Sequence, residues 1–341
     1  MVEVTDRIWL TGSTGLLGSY IARYLLKSGY TNLVCNKRAT SDLSLISDFS
    51  EDVTWVDIDL TSYYDVYDFM KEVDCVIHAA AMVSFNPQDK SQLEENNVEV
   101  TTTIVNAALE ENIKKLVYIS SVAALGKRAD GKRISETQEW KESSLNSHYG
   151  ISKYKSELEV WRGGQEGLDM VILSPAYILG TGKWGSSSLR LYPDVAKGNR
   201  YYPEGGNGFV DVRDVAEAVI KVIEQDRTQE NYIISAEDLS YFEVMKVMCQ
   251  TLDLDPPSKG LTSYHRKVYY YMRRIKDLVS LKSPSLTMSA LNNLSIQSCY
   301  NNQKSIDELS MNYRDIRETL IETTSRFKAK DESPLPIAFR G

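Results

Sequence analysis

The segment HYGISK, residues 148–153, sets Tyr149 and Lys153 four apart, so on a helix the phenol and the ammonium share one face. Such a pair can move a proton, because a nearby cation stabilises the phenolate that the transfer leaves behind. It can equally be an ordinary wet helix face. Spacing does not decide, since the chain has 21 tyrosines and repeats Tyr-x-x-x-Lys at Tyr67/Lys71 and Tyr300/Lys304. The surroundings of each pair must decide.

A second chemical signal, TGSTGLLG at residues 11–18, follows an apolar run and opens a helical pattern. Gly12 permits a tight turn, Gly15 lets the backbone approach a pyrophosphate, and Gly18 lets the helix pack close to the strand. Free N–H groups along Ser13, Thr14, Leu16 and Leu17 then face the anion. The end of the second strand reads Asn36-Lys37-Arg38, with no acid before Asp42. A carboxylate there suits the ribose 2′-hydroxyl of NAD, whereas a cation suits a 2′-phosphate. The charges favour NADP over NAD, with Arg38 as clamp and Lys37 in support. The plain alternative is two solvated loop charges.

Elements must hold these residues in place. Apolar runs at 7–10, 33–35, 54–57, 75–78, 116–120 and 170–173 alternate with helical patterns at 16–28, 96–111 and 149–161, the last stopped by Gly163-Gly164. That rhythm predicts strand-helix-strand units in an α/β, Rossmann-type doubly wound parallel sheet over residues 1–175. After Pro175, glycine-rich stretches and long helical patterns predict a smaller substrate lobe over 176–330. Residues 209–218 and 232–235 are expected to return to the sheet region. The tail 331–341 is polar, contains proline and is expected to be loosely held. The basic, aromatic segment 264–279 reads as a solvated helix packing its Val, Tyr and Ile face on the small lobe, or else as a membrane-surface or partner helix.

Composition excludes several classes. With 341 residues, 42% hydrophobic content and a formal charge of −8, the chain reads as soluble and globular, without a basic nucleic-acid footprint. No apolar run reaches the ~20 residues of a membrane span, and the first residues lack a signal peptide's layout, so a cytoplasmic location is the default. The four cysteines form no C-x-x-C pair and the three histidines no zinc spacing, so a disulfide framework and a metal site are not expected.

In order along the chain, TGSTGLLG, Asp59-Leu60, HAAA (78–81), ENNVEVT (95–101), YISSVAALG (118–126), YGISK (149–153), LSPAYILG (173–180) and FVDVRDVAEA (209–218) resemble the extended short-chain dehydrogenases/reductases. The segment 300–327 is similar to that family's closing helices. The likeness spans roughly residues 5 to 327 and lies nearest the dihydroflavonol-reductase-like or epimerase/dehydratase branch.

The resemblance implies roles. Tyr149 becomes the proton donor for carbonyl reduction, Lys153 the cation that acidifies it and holds the nicotinamide ribose, and Ser121 the hydroxyl that orients the substrate oxygen, with Ser120 as fallback. Asn97 matches the asparagine that often supports the lysine through a water or a backbone contact, although a helix cap is its plain alternative. Ala79, Ala80 and Ala81 are expected along the cofactor, Asp59 and Leu60 at the adenine, and Pro175 and Ile178 at the carboxamide. Phe85 and Tyr177, with Trp184 and Tyr192 behind them, are candidates for the substrate side. Arg190, Arg200 and Arg213 are its candidate cationic anchors.

An NADP-dependent reduction of a small-molecule ketone or aldehyde is the leading expectation. Val122-Ala123-Ala124 follows Ser121 where sugar-nucleotide dehydratases carry an acid, which disfavours dehydration. An NAD-dependent nucleotide-sugar epimerase is the alternative enzyme, and a non-catalytic NADP-sensing regulator the alternative of another class. A homodimer is expected from the family.

Overall fold

The computed structural model describes residues 1–128, 130–198, 200–279 and 288–340. Seven short runs pair in parallel: β1 (Ile8–Thr11), β2 (Leu33–Asn36), β3 (Thr54–Val56), β4 (Cys75–His78), β5 (Lys115–Ile119), β6 (Met170–Pro175) and β10 (Glu230–Ile234). Their spatial order is β10-β6-β5-β4-β1-β2-β3. Order reverses between β1 and β4, which opens a crevice at their carboxyl ends, the usual ligand position in such sheets. The six strands expected from the apolar runs are present, with ends shifted by one or two residues.

Helices cover both faces, because a parallel sheet must bury both. Ile8 and Leu10 point to the side of α1 (Leu16–Lys27) and α7 (Val212–Glu224), where they join Tyr20, Ile21, Val215 and Val219. Trp9 points the other way, toward Val66 and Met70 of α2 (Tyr63–Met70), Ile104 of α4 (Val100–Glu110) and Val160 of α5 (His148–Gln165). Between β4 and α4 lie α3 (Lys90–Leu93) and a π-helical turn, Glu94–Glu99. Gly163-Gly164 does not stop α5, contrary to expectation. A Cβ at Gly163 would sit 2.7 Å from Val105 Cγ1, so this glycine serves the close packing of α5 on α4 instead.

Beyond β6, β7 (Tyr177–Leu179), β9 (Gly206–Asp211) and β11 (Glu237–Ser240) form a three-stranded sheet, and β8 (Tyr201–Tyr202) pairs with β12 (Lys259–Gly260). A third core gathers Tyr192 and Val195 of α6 (Leu191–Ala196), Val244 and Met248 of α8 (Tyr241–Thr251), and Leu320 of α12 (Ile316–Lys328). α9 (Ser263–Val279) carries the basic, aromatic segment, followed by α10 (Met288–Asn293) and α11 (Gln303–Leu309). The expected packing of the α9 Val and Tyr face is not found at Tyr264, Val268 and Tyr271, which are exposed. Ile275 lies outside the residues whose side chains are described.

The tail is held rather than loose. Leu335 is buried and its N–H donates to Tyr20 Oη at 2.7 Å, while the Phe339 ring meets Tyr24 edge-on at 4.9 Å. Leu335, Ile337 and Phe339 alternate with other residues along an extended strap. Polar composition hides this period-two apolar pattern.

Candidate active site

Sterics fix the glycine turn. Gly12 has φ +72°, and a Cβ there would meet Ala80 N at 2.7 Å, so no other residue fits between β1 and the chain leaving β4. A Cβ at Gly18 would collide with the Gly12 carbonyl. At Gly15 the same atom meets nothing nearer than Gly12 O at 3.3 Å, so the turn is open on the side a pyrophosphate needs. Thr14 through Leu17 run from the turn into the first residues of α1. These residues fit a dinucleotide phosphate.

Polar side chains lock the cradle from beneath. Thr11 Oγ1 accepts the Ala80 N–H at 3.2 Å and bonds His78 Nδ1 at 2.7 Å, and His78 Nε2 reaches Thr101 Oγ1 at 3.3 Å. Burial, with the Lys153 charge second, pushes His78 down to about 3, so the ring is neutral and fastens β4 to β1 and α4. Ser13 Oγ donates to Asn36 O at 2.9 Å. Ala79 and Ala80 are half-buried and Ala81 is exposed along the crevice.

The ribose side contrasts with this packing. Asn36 joins the ends of β2 and β3 by accepting from Ile58 N at 3.1 Å and donating to Ile58 O at 3.2 Å. The next two residues turn outward. Lys37 Nζ lies 5.7 Å from the Trp55 ring centre, and the exposed Arg38 guanidinium has no partner among the described residues. Asp42 is committed to Lys183 at 2.9 Å, and the Ser44 N–H with that lysine holds it down to about 2. Asp59 turns its carboxylate onto Thr61 N and Oγ1, at 3.0 and 2.7 Å, while Leu60 packs beneath it against the α2–α4 side of the core.

Proton chemistry gathers where β5 ends against α5. Ser147 caps α5 by accepting from Gly150 N at 3.0 Å, and a Cβ at Gly150 would sit 2.8 Å from Ala123 O. That close approach brings the first turn of α5 against the turn carrying Ser121. Burial pushes the Tyr149 phenol up to about 12, and the nearby Ser121 side chain acts the other way. The structure therefore brings Ser121 to Tyr149, while Ser120 points inward. Ser120 Oγ is buried toward Glu157 and lowers that carboxyl's proton affinity without completing a well-formed hydrogen bond.

Lys153 is buried, and desolvation drags it down to about 7 while Glu157 pulls the other way. Its Nζ donates to Tyr118 Oη at 2.6 Å and to Ile119 O at 2.8 Å. No carboxylate lies within ion-pair distance among the described residues. Glu157, one turn further along α5, is itself lifted to about 7 by burial and receives Ser174 Oγ at 3.3 Å.

Asn97 does not touch Lys153. It accepts from Met82 N at 2.7 Å and donates to Met82 O at 3.0 Å and Ser152 Oγ at 2.9 Å, which ties the chain leaving β4 to α5. Its π-helical turn carries a local widening often found at functional positions.

On the substrate side, the Phe85 ring is exposed and stands edge-on to Tyr149 with centroids 6.0 Å apart. Tyr177 donates its hydroxyl to Ser188 O at 2.7 Å and packs on Phe209. Tyr192 is wholly buried on Thr323, and Arg213 is bound to Asp211 and Glu322. Neither is free to meet a ligand. Pro175 ends β6, and Ile178 is half-buried in β7. Reading the sequence overlooked Thr11, Thr101, Tyr118 and Glu157; only Glu157 had a visible signal, its i+4 spacing from Lys153.

Residues 8–235 match the family model described as the NAD dependent epimerase/dehydratase family. The chain belongs to that family. It is thus an NAD(P)-dependent oxidoreductase of the extended short-chain type. A putative dihydroflavonol 4-reductase of Synechocystis is 27% identical over 339 residues, 96% of each chain. Tetraketide alpha-pyrone reductase 2 of Arabidopsis thaliana is 28% identical, covering 70% of this chain and 80% of its own. Cinnamoyl-CoA reductase 1 of Petunia hybrida is 23% identical over 96% and 94%. The crystal structure of gox2253 superposes with a TM-score of 0.82 at 28% identity, covering 96% of this chain and all of that one. Among the described residues no helix is long and apolar enough to cross a membrane, and no group of His, Cys, Asp and Glu could hold a metal.

Proposed function

We propose that this chain is an NADP-dependent reductase that converts a ketone or aldehyde group of a small molecule into the alcohol, with Tyr149 as proton donor. The observation that carries this reading is the buried Lys153 ammonium, with no carboxylate within ion-pair distance among the described residues, one turn from a half-buried phenol that lies beside Ser121. A nicotinamide cofactor held by the Gly12–Gly18 turn would supply a hydride for the carbonyl carbon. Ser121 and Tyr149 hold the carbonyl oxygen, so charge that develops there meets two donors. Tyr149 gives up its proton, and the Lys153 charge stabilises the phenolate against the upward push of burial. Phe85 beside Tyr149 offers an aromatic edge to the substrate, whereas the Tyr177 hydroxyl is already spent on Ser188. The partnerless Arg38, with Asp42 occupied by Lys183, supports NADP over NAD.

Relatives named as reductases of dihydroflavonol, tetraketide alpha-pyrone and cinnamoyl-CoA support net reduction over epimerisation. The test is NADPH oxidation by the purified protein with a panel of aromatic, aliphatic and sugar-nucleotide carbonyl compounds. Turnover with at least one carbonyl is expected. Folded protein that oxidises NADPH with none of them, or that copurifies with NAD and inverts a sugar centre without net redox change, contradicts the reading.

A further inference from the structure

We propose that Tyr118 is the positioning residue for Lys153, an inference that rests on the reading of Lys153 as the cation of a reductase site. Asn97, the family's expected support, spends its side chain on Met82 and Ser152. That side chain makes no hydrogen bond to Lys153. Tyr118 Oη accepts from Nζ at 2.6 Å, Ile119 O accepts at 2.8 Å, and the ammonium lies 4.2 Å from the Tyr118 ring centre. An ammonium has three donors. Two are fixed by β5, so the side chain is set in one place and one N–H remains for the crevice.

Tyr118 suits this task because it stays a neutral hydroxyl. It is buried, and burial raises its pKa while the Ser156 and Thr101 hydroxyls act against the rise. Those two hydroxyls donate to the carbonyl of Asn97, Ser156 at 2.9 Å and Thr101 at 2.6 Å. Two hydroxyls near Tyr118 are thus committed to the Asn97 carbonyl. Charged or titratable groups facing Lys153 are Glu157 and Tyr149 from α5, Tyr118 from β5 and His78 from β4. Of these, Tyr118 alone makes a hydrogen bond to Nζ.

Tyr118→Phe keeps the ring and deletes the acceptor. The readout is the titration of Lys153 itself, followed by carbon-13 lysine NMR on cofactor-free protein and assigned by the resonance missing from Lys153→Met. Losing a hydrogen bond to a charged group is expected to move the transition down by about 1–2 pH units, with the melting temperature nearly unchanged. An unmoved transition in folded Tyr118→Phe overturns the proposal, because a merely structural ring has no reason to shift it. Should that variant not fold, a crystal structure of the wild-type protein with NADPH decides. Nζ within hydrogen-bond reach of Tyr118 Oη supports the proposal, and a lysine swung clear of it overturns it. NADPH affinity separates the two layers. If Lys153→Met binds NADPH as tightly as wild type, the ribose-holding reading fails, while the NMR titration still decides Tyr118.

Discussion

The three Tyr-x-x-x-Lys pairs share one spacing and have three different surroundings. Lys71 is exposed, bonds Asp68 at 2.8 Å and lies over the Tyr67 ring on the surface of α2. Lys304 meets Glu230 and Asn231 O, and Tyr300 is buried away from the crevice among core side chains. Lys153 is buried without an ion-pairing carboxylate and is held by neutral oxygens alone. A cation already neutralised by a carboxylate has little left for a phenolate or a cofactor, whereas one held by neutral acceptors has, when protonated, a charge that nothing offsets. The same distinction separates Arg38, whose guanidinium has no partner among the described residues, from Lys183 and Arg213, which are paired.

Replacing those cations in parallel can break that comparison. Lys153→Met is expected to lower kcat/KM for carbonyl reduction by about 10²–10⁴-fold. Lys71→Met and Lys304→Met should stay within about twofold, because removing a surface or partly exposed ion pair costs ~1 kcal/mol or less. A comparable loss in all three variants would remove the distinction. At the ribose side, Arg38→Ala should weaken NADPH binding by about 10–100-fold in a fluorescence titration, the worth of a charge-assisted hydrogen bond, and leave NADH affinity alone.

The pH dependence sharpens the same contrast. On the proposed mechanism reduction needs the Lys153 proton, and burial lowers that lysine to about 7, so kcat/KM for the free enzyme should fall as pH rises through about 7. Glu157 raises the lysine's affinity for its proton, so Glu157→Gln should move the falling limb to lower pH. A limb unmoved in that variant would detach Glu157 from the site.

The smallest effect concerns stability. His78 sits near 3 in the folded state against 6.5 ordinarily, so between those values the unfolded chain binds more protons and stability drops as pH falls. That contribution is absent above 6.5, and its slope cannot exceed about 1.4 kcal/mol per pH unit. Urea unfolding of His78→Gln at pH 7 and pH 5 should show a smaller acid loss than wild type.

Much of this organisation was legible in the chain. The glycine turn declared itself because steric closure demands glycine at Gly12 and Gly18, and the sheet because buried parallel strands are continuous apolar runs. Interior polar contacts were not legible. Thr11, Thr101 and Tyr118 are ordinary residues of a strand or helix until folding sets them 2.6–3.3 Å from His78, Ala80 or Lys153. Gly163 read as a helix stop because pattern alone does not show that α4 lies against it. The strap at Leu335, Ile337 and Phe339 was masked by its polar neighbours. Asn97 was legible as a residue of the site, but its partner there is Met82.

The most direct test is the Tyr149→Phe variant, assayed for carbonyl reduction and, separately, for NADPH binding. A fall in kcat of about 10²–10⁴-fold with unchanged NADPH affinity is the predicted result. Turnover within threefold of wild type at saturating NADPH would contradict the assignment of the proton to this phenol.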